Sequence, residues 1–237
     1  MSISLDYYFS HLDAFPFSDW FSGITEAHGV LAKAKPFLEE ILVKPDVKEN
    51  HATCKGDPPQ LYGNYFIGEG SVLYNGVTII GPVYIGKNVQ IMPGAVIRPG
   101  TIISDNCSVG TGSEIKHAVL FGGAKVASLA FVGDSVLGKS ARIGSGVITA
   151  NRKFDQSNAT ITLDGERLDL GTDFFGCIIG DRTRLGANSV TQPGTHIGPD
   201  TWIFPQTGVR GFIPREKRVF AEQTLRMTDN EVIELKP

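Results

Sequence analysis

Arg98 and Lys116 stand 18 residues apart, and each directly follows a large aliphatic, Ile97 and Ile115. Placed on adjacent rungs of a repeating structure, the two cations would repel across about 5 Å of strand spacing unless an anion lay between them. Arg grips phosphate with a planar fork and Lys as a point charge, so the pair points to a phosphate ester. Two solvated surface cations are the plain alternative. His117 adjoins Lys116, and Asp134 follows 17 residues later. An imidazole one rung below a carboxylate could take a proton from an amine or a hydroxyl. The simpler reading is a surface His beside an acid that holds a chain corner. Asn151 opens a polar stretch and either contacts a ligand or ends a strand.

The frame that must position these residues is a beat of six. Ile67, Leu73, Ile79, Ile85, Ile91, Ile97, Ile103, Val109 and Ile115 follow one another at that interval. A second beat of small or β-branched residues runs through Ser71, Val77, Val83, Val89, Ala95, Thr101, Cys107, Ser113 and Val119. Six is neither the helical 3.6 nor the 2 of a simple strand. A short strand with a bend at each Gly or Pro-Gly satisfies it. Three such strands close a triangular coil, and stacked coils form a left-handed parallel β-helix of hexapeptide repeats. The beat slips by one residue after Ile115 and again after Val132, restarting at Leu120 and Leu137, with corners expected at Ala124, Ala130, Val136, Ala141 and Val147. It breaks over 152–176, which includes Lys153, Asp155 and Asp164-Gly165 and reads as a protruding loop or hairpin. It resumes from Ile179 to Val209, giving about seven coils by the 18-residue repeat.

Residues 1–60 lack the beat. Leu5, Tyr8, Phe9 and Leu12, and later Val30, Leu31, Ala34, Leu38, Ile41 and Leu42, have helical spacing. Two or three short helices are expected, with Ser18 as an N-cap. Phe15, Phe17, Trp20 and Phe21 form an aromatic cluster that caps the first coil or meets a partner, capping being favoured because sheet edges are normally covered. The organisation expected is a helical region over 1–60, a β-helix over 61–212 and a tail over 213–237.

A net charge of −3 leaves no strong nucleic-acid or membrane footprint. Cys54, Cys107 and Cys177 have neither metal nor disulfide spacing. No basic region precedes an apolar run at the start, and no apolar run reaches membrane-spanning length, so a cytoplasmic protein is the default expectation.

Residues 98–151 carry a more specific signal. Arg98-Pro99-Gly100, Ser113-Glu114-Ile115-Lys116, Leu129-Ala130-Phe131-Val132-Gly133-Asp134 and Ile143-Gly144-Ser145-Gly146-Val147-Ile148-Thr149-Ala150-Asn151 resemble one known domain. It is the acetyltransferase half of the bifunctional N-acetylglucosamine-1-phosphate uridyltransferase/glucosamine-1-phosphate acetyltransferases. Archaeal sugar-1-phosphate nucleotidylyltransferases with such a C-terminal domain are closer still, with a basic-Phe-Asp segment like Lys153-Phe154-Asp155. The resemblance implies a homotrimer, acetyl-CoA or another acyl-CoA as donor, and sugar-phosphate contacts at Arg98, Lys116, Asn151 and Lys153. It also implies a donor site that includes Ser145, with Arg210, Arg215, Lys217 or Arg218 holding coenzyme A phosphates or forming a solvated tail. The family's general-base His falls on Ser128, its Tyr on Phe131 and a further Asn on Arg142. A hydroxyl has no useful pKa near neutrality and cannot replace an imidazole as base.

Of His11, His28, His51, His117 and His196, His117 is expected one rung below Asp134, and with His196 far along the chain the three interlocking His of a γ-carbonic-anhydrase-type metal site are absent from the pattern. Two expectations follow. One is an acyl-CoA-dependent transferase acting on a sugar phosphate or nucleotide sugar. The other is a non-catalytic trimeric binder or scaffold. Residues 1–60 hold no Gly-rich phosphate loop followed by Lys or Arg, so no nucleotidyl transfer is expected of this chain alone.

Overall fold

The computed structural model describes residues 3–228 except His11, Asp13, Ala14 and Pro45; His11 and the tail from 229 onward lie outside the described residues. The hexapeptide beat folds as a left-handed parallel β-helix. Its three faces hold nine, nine and eight strands. Face I runs from Lys48–Asn50 to Phe212–Ile213, face II from Thr53–Lys55 to Arg218–Val219, and face III from Gln60–Tyr62 to Gly208–Val209. Every solenoid pairing is parallel, and only the hairpin Thr160–Leu163 with Glu166–Asp169 is antiparallel.

The aliphatics of the beat fill the prism, and Ile67, Ile79, Ile85, Ile91, Ile97, Ile103 and Ile115 are fully buried. Burial of this kind is worth about 1.5–3 kcal/mol per side chain. Corner hydroxyls satisfy the next rung: Ser71 Oγ donates to Gly86 O at 2.8 Å, and Ser113 Oγ to Ala127 O at 2.7 Å. Cys107 is a buried corner residue, and burial pushes its thiol up to about 12.

Three expectations are corrected. The solenoid holds nine coils among the described residues rather than about seven, because Lys48–Asn50 and Thr53–Lys55 pair in register although Asn50 and Cys54 replace the inward aliphatics, and because Ile213 and Val219 continue the inward column after a shortened interval from Val209. At the two slips the corner residues are Ala118 and Ser135, while Val119 and Val136 point outward, paired with Ile102 and Ile178. A shortened corner moves the small position along with the core position. Finally, Ser18 lies inside the 3-10 turn Ser18–Phe21, whose cap position is Phe17 with no side-chain hydrogen bond.

The helices are α1 (Leu5–Tyr8) and α2 (Gly29–Leu38), the latter continuing into a π-helical turn over Glu39–Val43. The N-terminal segment does not cap the first coil. It lies along face I, whose outward column reads Phe66, Tyr84, Ile102, Val119, Val136, Ile178, His196, Phe212. That column is apolar over most of its length and demands burial, whereas the first strand's Lys48, Glu49 and Asn50 are exposed and polar. Phe17 meets Tyr84 at 4.9 Å, Phe9 stacks on Phe121 at 4.8 Å and Tyr7 meets Phe212 at 6.0 Å. Buried Asp181 fastens the segment: its Oδ2 accepts from Ser10 N at 2.8 Å and its Oδ1 from Lys139 N at 2.7 Å.

Candidate functional site

The two slips in the beat fall at the same corner of successive coils, where face III turns into face I. Like ordinary corners such as those at Asn88, Asn106 and Asn188, each shortened corner places one residue in the left-handed region: His117 at φ 45° and Asp134 at φ 46°. Only a few non-glycine residues go there, His and Asp being among the enriched ones. Lys116 pairs with Gly133 across the rungs, so these corners lie one above the other. His117 Nδ1 lies 2.8 Å from Asp134 Oδ1.

Asp134 is the hub of the corner. Its carboxylate is 2% exposed, and Oδ2 accepts from Lys116 Nζ at 3.2 Å and from Asn151 Nδ2. Burial alone would push this carboxyl up. Hydrogen bonds from His117 and Asn151, with the Lys116 charge, outweigh it and hold the carboxyl below the usual range. His117 is pinned by one nitrogen, and its Nε2 has no partner among the described residues. A carboxylate fixing one imidazole nitrogen while the other faces out is the arrangement of a general base.

The inserted loop closes over this corner. Phe174 lies under two cations, with Lys116 Nζ 4.4 Å and Arg152 Cζ 4.6 Å from its ring centre. Arg152 also pairs with Asp173 at 3.5 Å. Phe131 folds its ring across Gly133: a Cβ built there would stand 2.6 Å from the ring and 2.8 Å from Asn151 Nδ2. Glycine is therefore required at 133 by close approach.

Arg98 and Lys116 do occupy adjacent rungs, Arg98 N donating to Ile115 O. The expectation that a bound anion must separate them is corrected. Glu114 neutralises Arg98 at 2.6 Å and Asp134 neutralises Lys116, so each cation already has a carboxylate. Ser128 lies at the corner where face II meets face III, six residues before Asp134. That is the opposite edge of face III, up to about 20 Å along the chain. Within one chain Ser128 and His117 are therefore not brought together, whereas Phe131, Asn151, Lys116 and His117 are.

Lys153 pairs with Asp155 at 3.7 Å and lines two clefts at the base of the hairpin. One, of about 500 Å³, is bordered by Ala150, Arg152, Phe154 and Gln192; the other, of about 550 Å³, by Thr160, Arg167 and Arg210. The basic C-terminal cluster is split. Arg210 faces the hairpin cleft, Arg215 packs over Tyr7, Lys217 is exposed, and Arg218 lies on face II with Arg142. Ser145 is exposed at the same corner as Ser128, Gly146 N donating to Ser128 O.

Glu114, Arg152 and Phe174 were missed in the sequence. Glu114 could have been found by its place on the strand of Lys116; the other two depend on how the loop folds back. Among the described residues no group of three or more His, Cys, Asp or Glu is placed to hold a metal ion, and no helix is long and apolar enough to cross a membrane.

Residues 79–175 match a family model described as the GMPPB C-terminal domain, and 176–201 match the hexapeptide repeat of succinyl-transferase. An uncharacterized acetyltransferase of Escherichia coli, YaiX, is 35% identical over 167 residues, covering 63% of this chain and 73% of that protein. The bifunctional protein GlmU of Methanococcus maripaludis is 31% identical over 200 residues, covering 84% of this chain but only 47% of the relative. Among solved structures, the UDP-N-acetylglucosamine acyltransferase of Arabidopsis aligns with a TM-score of 0.46 at 18% identity, covering 75% of this chain and 70% of that one.

Proposed function

Because this chain belongs to the hexapeptide-repeat transferases, related to sugar-phosphate acetyltransferases, we propose that it moves an acyl group from acyl-CoA to a sugar phosphate or nucleotide sugar, working as a homotrimer. The observation that carries the reading is the His117–Asp134 contact of 2.8 Å at a corner where His117 Nε2 is free. The base has moved: the resemblance puts the proton acceptor at Ser128, and His117 takes over that task from the other edge of face III. Its Nε2 takes the proton from the acceptor amine or hydroxyl. Asp134 stabilises the imidazolium that forms, and Asn151 and Lys116 hold Asp134 in place. Arg98, Lys116 and Arg152 are each paired with a carboxylate, so the acceptor's phosphate competes with Glu114, Asp134 and Asp173 for them, and Phe131 supplies an apolar wall.

Acyl-CoA supplies the acyl group as a thioester: the acceptor's bond to the acyl carbon forms, the carbon–sulfur bond breaks, and the thiol leaves with a proton. Arg210 and Lys153, which line one cleft, are the residues proposed to hold the donor's phosphates, while Ser145 lies at the opposite edge of face III. The reaction is tested by following thiol release from acetyl-CoA with glucosamine-1-phosphate and with nucleotide sugars as acceptors. Acceptor-dependent release by the wild type that His117→Ala abolishes is expected; release unaffected by His117→Ala removes His117 from the reaction. The loss of the family His at Ser128 favours a second reading, a non-catalytic binder of the same ligands. Sugar-phosphate binding with no thiol release from any acyl-CoA would establish it.

A further inference from the structure

Where face I turns into face II, the corner carries a ladder of charges that alternates in sign. Two residues past the stacked core positions Ile67, Ile85, Ile103, Leu120, Leu137 and Ile179, it reads Glu69, Lys87, Asp105, Gly122, Lys139, Asp181. Gly122 interrupts the alternation. The backbone does not require glycine there: its φ lies outside the left-handed region, and an added Cβ would meet nothing closer than Asp105 O at 3.6 Å. The missing side chain leaves a cavity of about 320 Å³. Ser104, Asp105, Lys139 and Ser140 line it from the prism, and Ser10 and Phe15 from the N-terminal segment.

Asp105 and Asp181 are built alike up to a point. Each stands one rung above a lysine and accepts that lysine's backbone amide at Oδ1, from Lys87 N at 2.8 Å and from Lys139 N at 2.7 Å. Their second oxygens differ. Asp181 Oδ2 receives the amide and the hydroxyl of Ser10, at 2.8 and 2.6 Å. Asp105 Oδ2 receives no donor among the described residues, and the carboxylate lines the cavity. Across the gap, two rungs or about 10 Å of prism away, Lys139 Nζ has no carboxylate partner among the described residues. Ser104 is buried, and its hydroxyl makes no hydrogen bond among the described residues. Phe121 and Phe15 meet at 5.2 Å and supply an aromatic wall. The cavity therefore presents an unfilled acceptor at one end, an unneutralised cation at the other and an apolar side between them.

We propose that this cavity binds a free α-amino acid with an apolar side chain. Its ammonium donates to Asp105 Oδ2 and Ser104 Oγ, its carboxylate accepts from Lys139 Nζ and Ser140 Oγ, and its side chain rests on Phe15 and Phe121. A zwitterion restores the alternation that Gly122 interrupts, with positive charge over Asp105 and negative charge under Lys139. A lone cation would be repelled by Lys139 and a lone anion by Asp105. The volume lies at the small end of ligand pockets and matches a molecule of this size. Because Ser10 and Phe15 belong to the N-terminal segment, the ligand fastens that segment to the prism. The cavity opens where face I meets face II, whereas His117 and Asp134 stand where face III meets face I, so the site does not depend on the acyl-transfer reading.

Calorimetric titration of the full chain with L-phenylalanine and L-leucine, beside phenethylamine and 3-phenylpropionate, tests the proposal. Expected are saturable binding of at least one of the two amino acids and at least tenfold weaker binding of both single-charge analogues. Asp105→Asn keeps an acceptor for the Lys87 amide and removes only the charge; it should weaken binding at least tenfold, as should Lys139→Met. Gly122→Leu fills the cavity and should abolish binding. Gly122→Ala, whose added carbon meets no atom closer than 3.6 Å, should keep the wild-type thermal midpoint and bind severalfold more weakly. Saturating amino acid should slow proteolysis within residues 3–44 in the wild type and leave it unchanged in Asp105→Asn. His117→Ala must bind the amino acid as the wild type does, even where it abolishes acyl transfer. The proposal is overturned if neither amino acid binds, if phenethylamine or 3-phenylpropionate binds as tightly as L-phenylalanine, or if Asp105→Asn and Gly122→Leu bind like the wild type.

Discussion

The imidazole of His117 and the carboxylate of Asp134 meet at 2.8 Å because two consecutive coils each lose one residue at the same corner. Both residues pay with a left-handed backbone, at φ 45° and 46°. The same conformation recurs at ordinary corners such as Asn88, Asn106 and Asn188, so it belongs to the turn of the prism and not to the site.

Replacing His117 by Ala is expected to lower the acyl-transfer rate by about 10²–10⁴-fold, the usual contribution of a positioned base. Asp134→Asn is expected to lower the rate as well and to reduce stability by about 2 kcal/mol, because it removes an acceptor of charge-assisted hydrogen bonds. Initial rates and urea unfolding of the two variants separate these effects. A His117→Ala variant with wild-type turnover refutes the assignment.

Gly133→Ala is expected to displace Phe131 and Asn151, since the added carbon would stand 2.6 and 2.8 Å from them. Overpacking of this kind costs about 1–3 kcal/mol. Truncating the ring should recover part of that, so Phe131→Ala combined with Gly133→Ala should be more stable than the sum of the single changes. A double-mutant cycle by denaturant midpoint measures the coupling, and strict additivity contradicts the contact.

Acid is expected to loosen the N-terminal segment. His196 is fully buried between Tyr8, Phe175 and His28, and burial pushes it down to about 4. Burial also lowers His28, against the opposing charge of Glu26. The native state holds His196 neutral while the unfolded chain protonates it near pH 6.5. Stability from this residue is therefore complete above about pH 6.5 and falls as pH drops toward 4. At pH 5 the loss is about 2 kcal/mol from His196 alone. Thermal midpoints at pH 7 and 5 should differ, and the difference should shrink in His196→Phe; an unchanged difference rules out His196 as its source.

Asp181→Ala is expected to release the start of the chain before the prism unfolds. Its two oxygens hold the Ser10 amide and hydroxyl on one side and the Lys139 amide on the other. A buried acceptor of charge-assisted bonds is worth about 1.5–3 kcal/mol for each bond left unmade. Limited proteolysis should then cut within residues 3–44 faster than in the wild type, with the solenoid fragment intact. Equal cleavage rates contradict the tether.

Much of this was legible from spacing alone. The six-residue beat placed Arg98, Lys116, His117 and Asp134 on neighbouring rungs because the inward aliphatics fix register one residue at a time. The slips at Ile115 and Val132 located the corner that matters. What stayed hidden was of two kinds. The first coil carries Asn50 and Cys54 where aliphatics are expected, so backbone pairing continues where the hydrophobic signal stops. Phe174 and Arg152 reach the corner only because a loop folds back, and such a path has no period to read.

A stack whose rungs touch only their neighbours can fray from either end. Here one aromatic stretch of chain lies across outward residues from Phe66 to Phe212. Peeling back an outer rung breaks contacts with the same stretch that grips the middle ones. The segment thus couples distant rungs, so that the stack melts as one cooperative block instead of unzipping, and the His117 corner midway along it sits farthest from any loosening end.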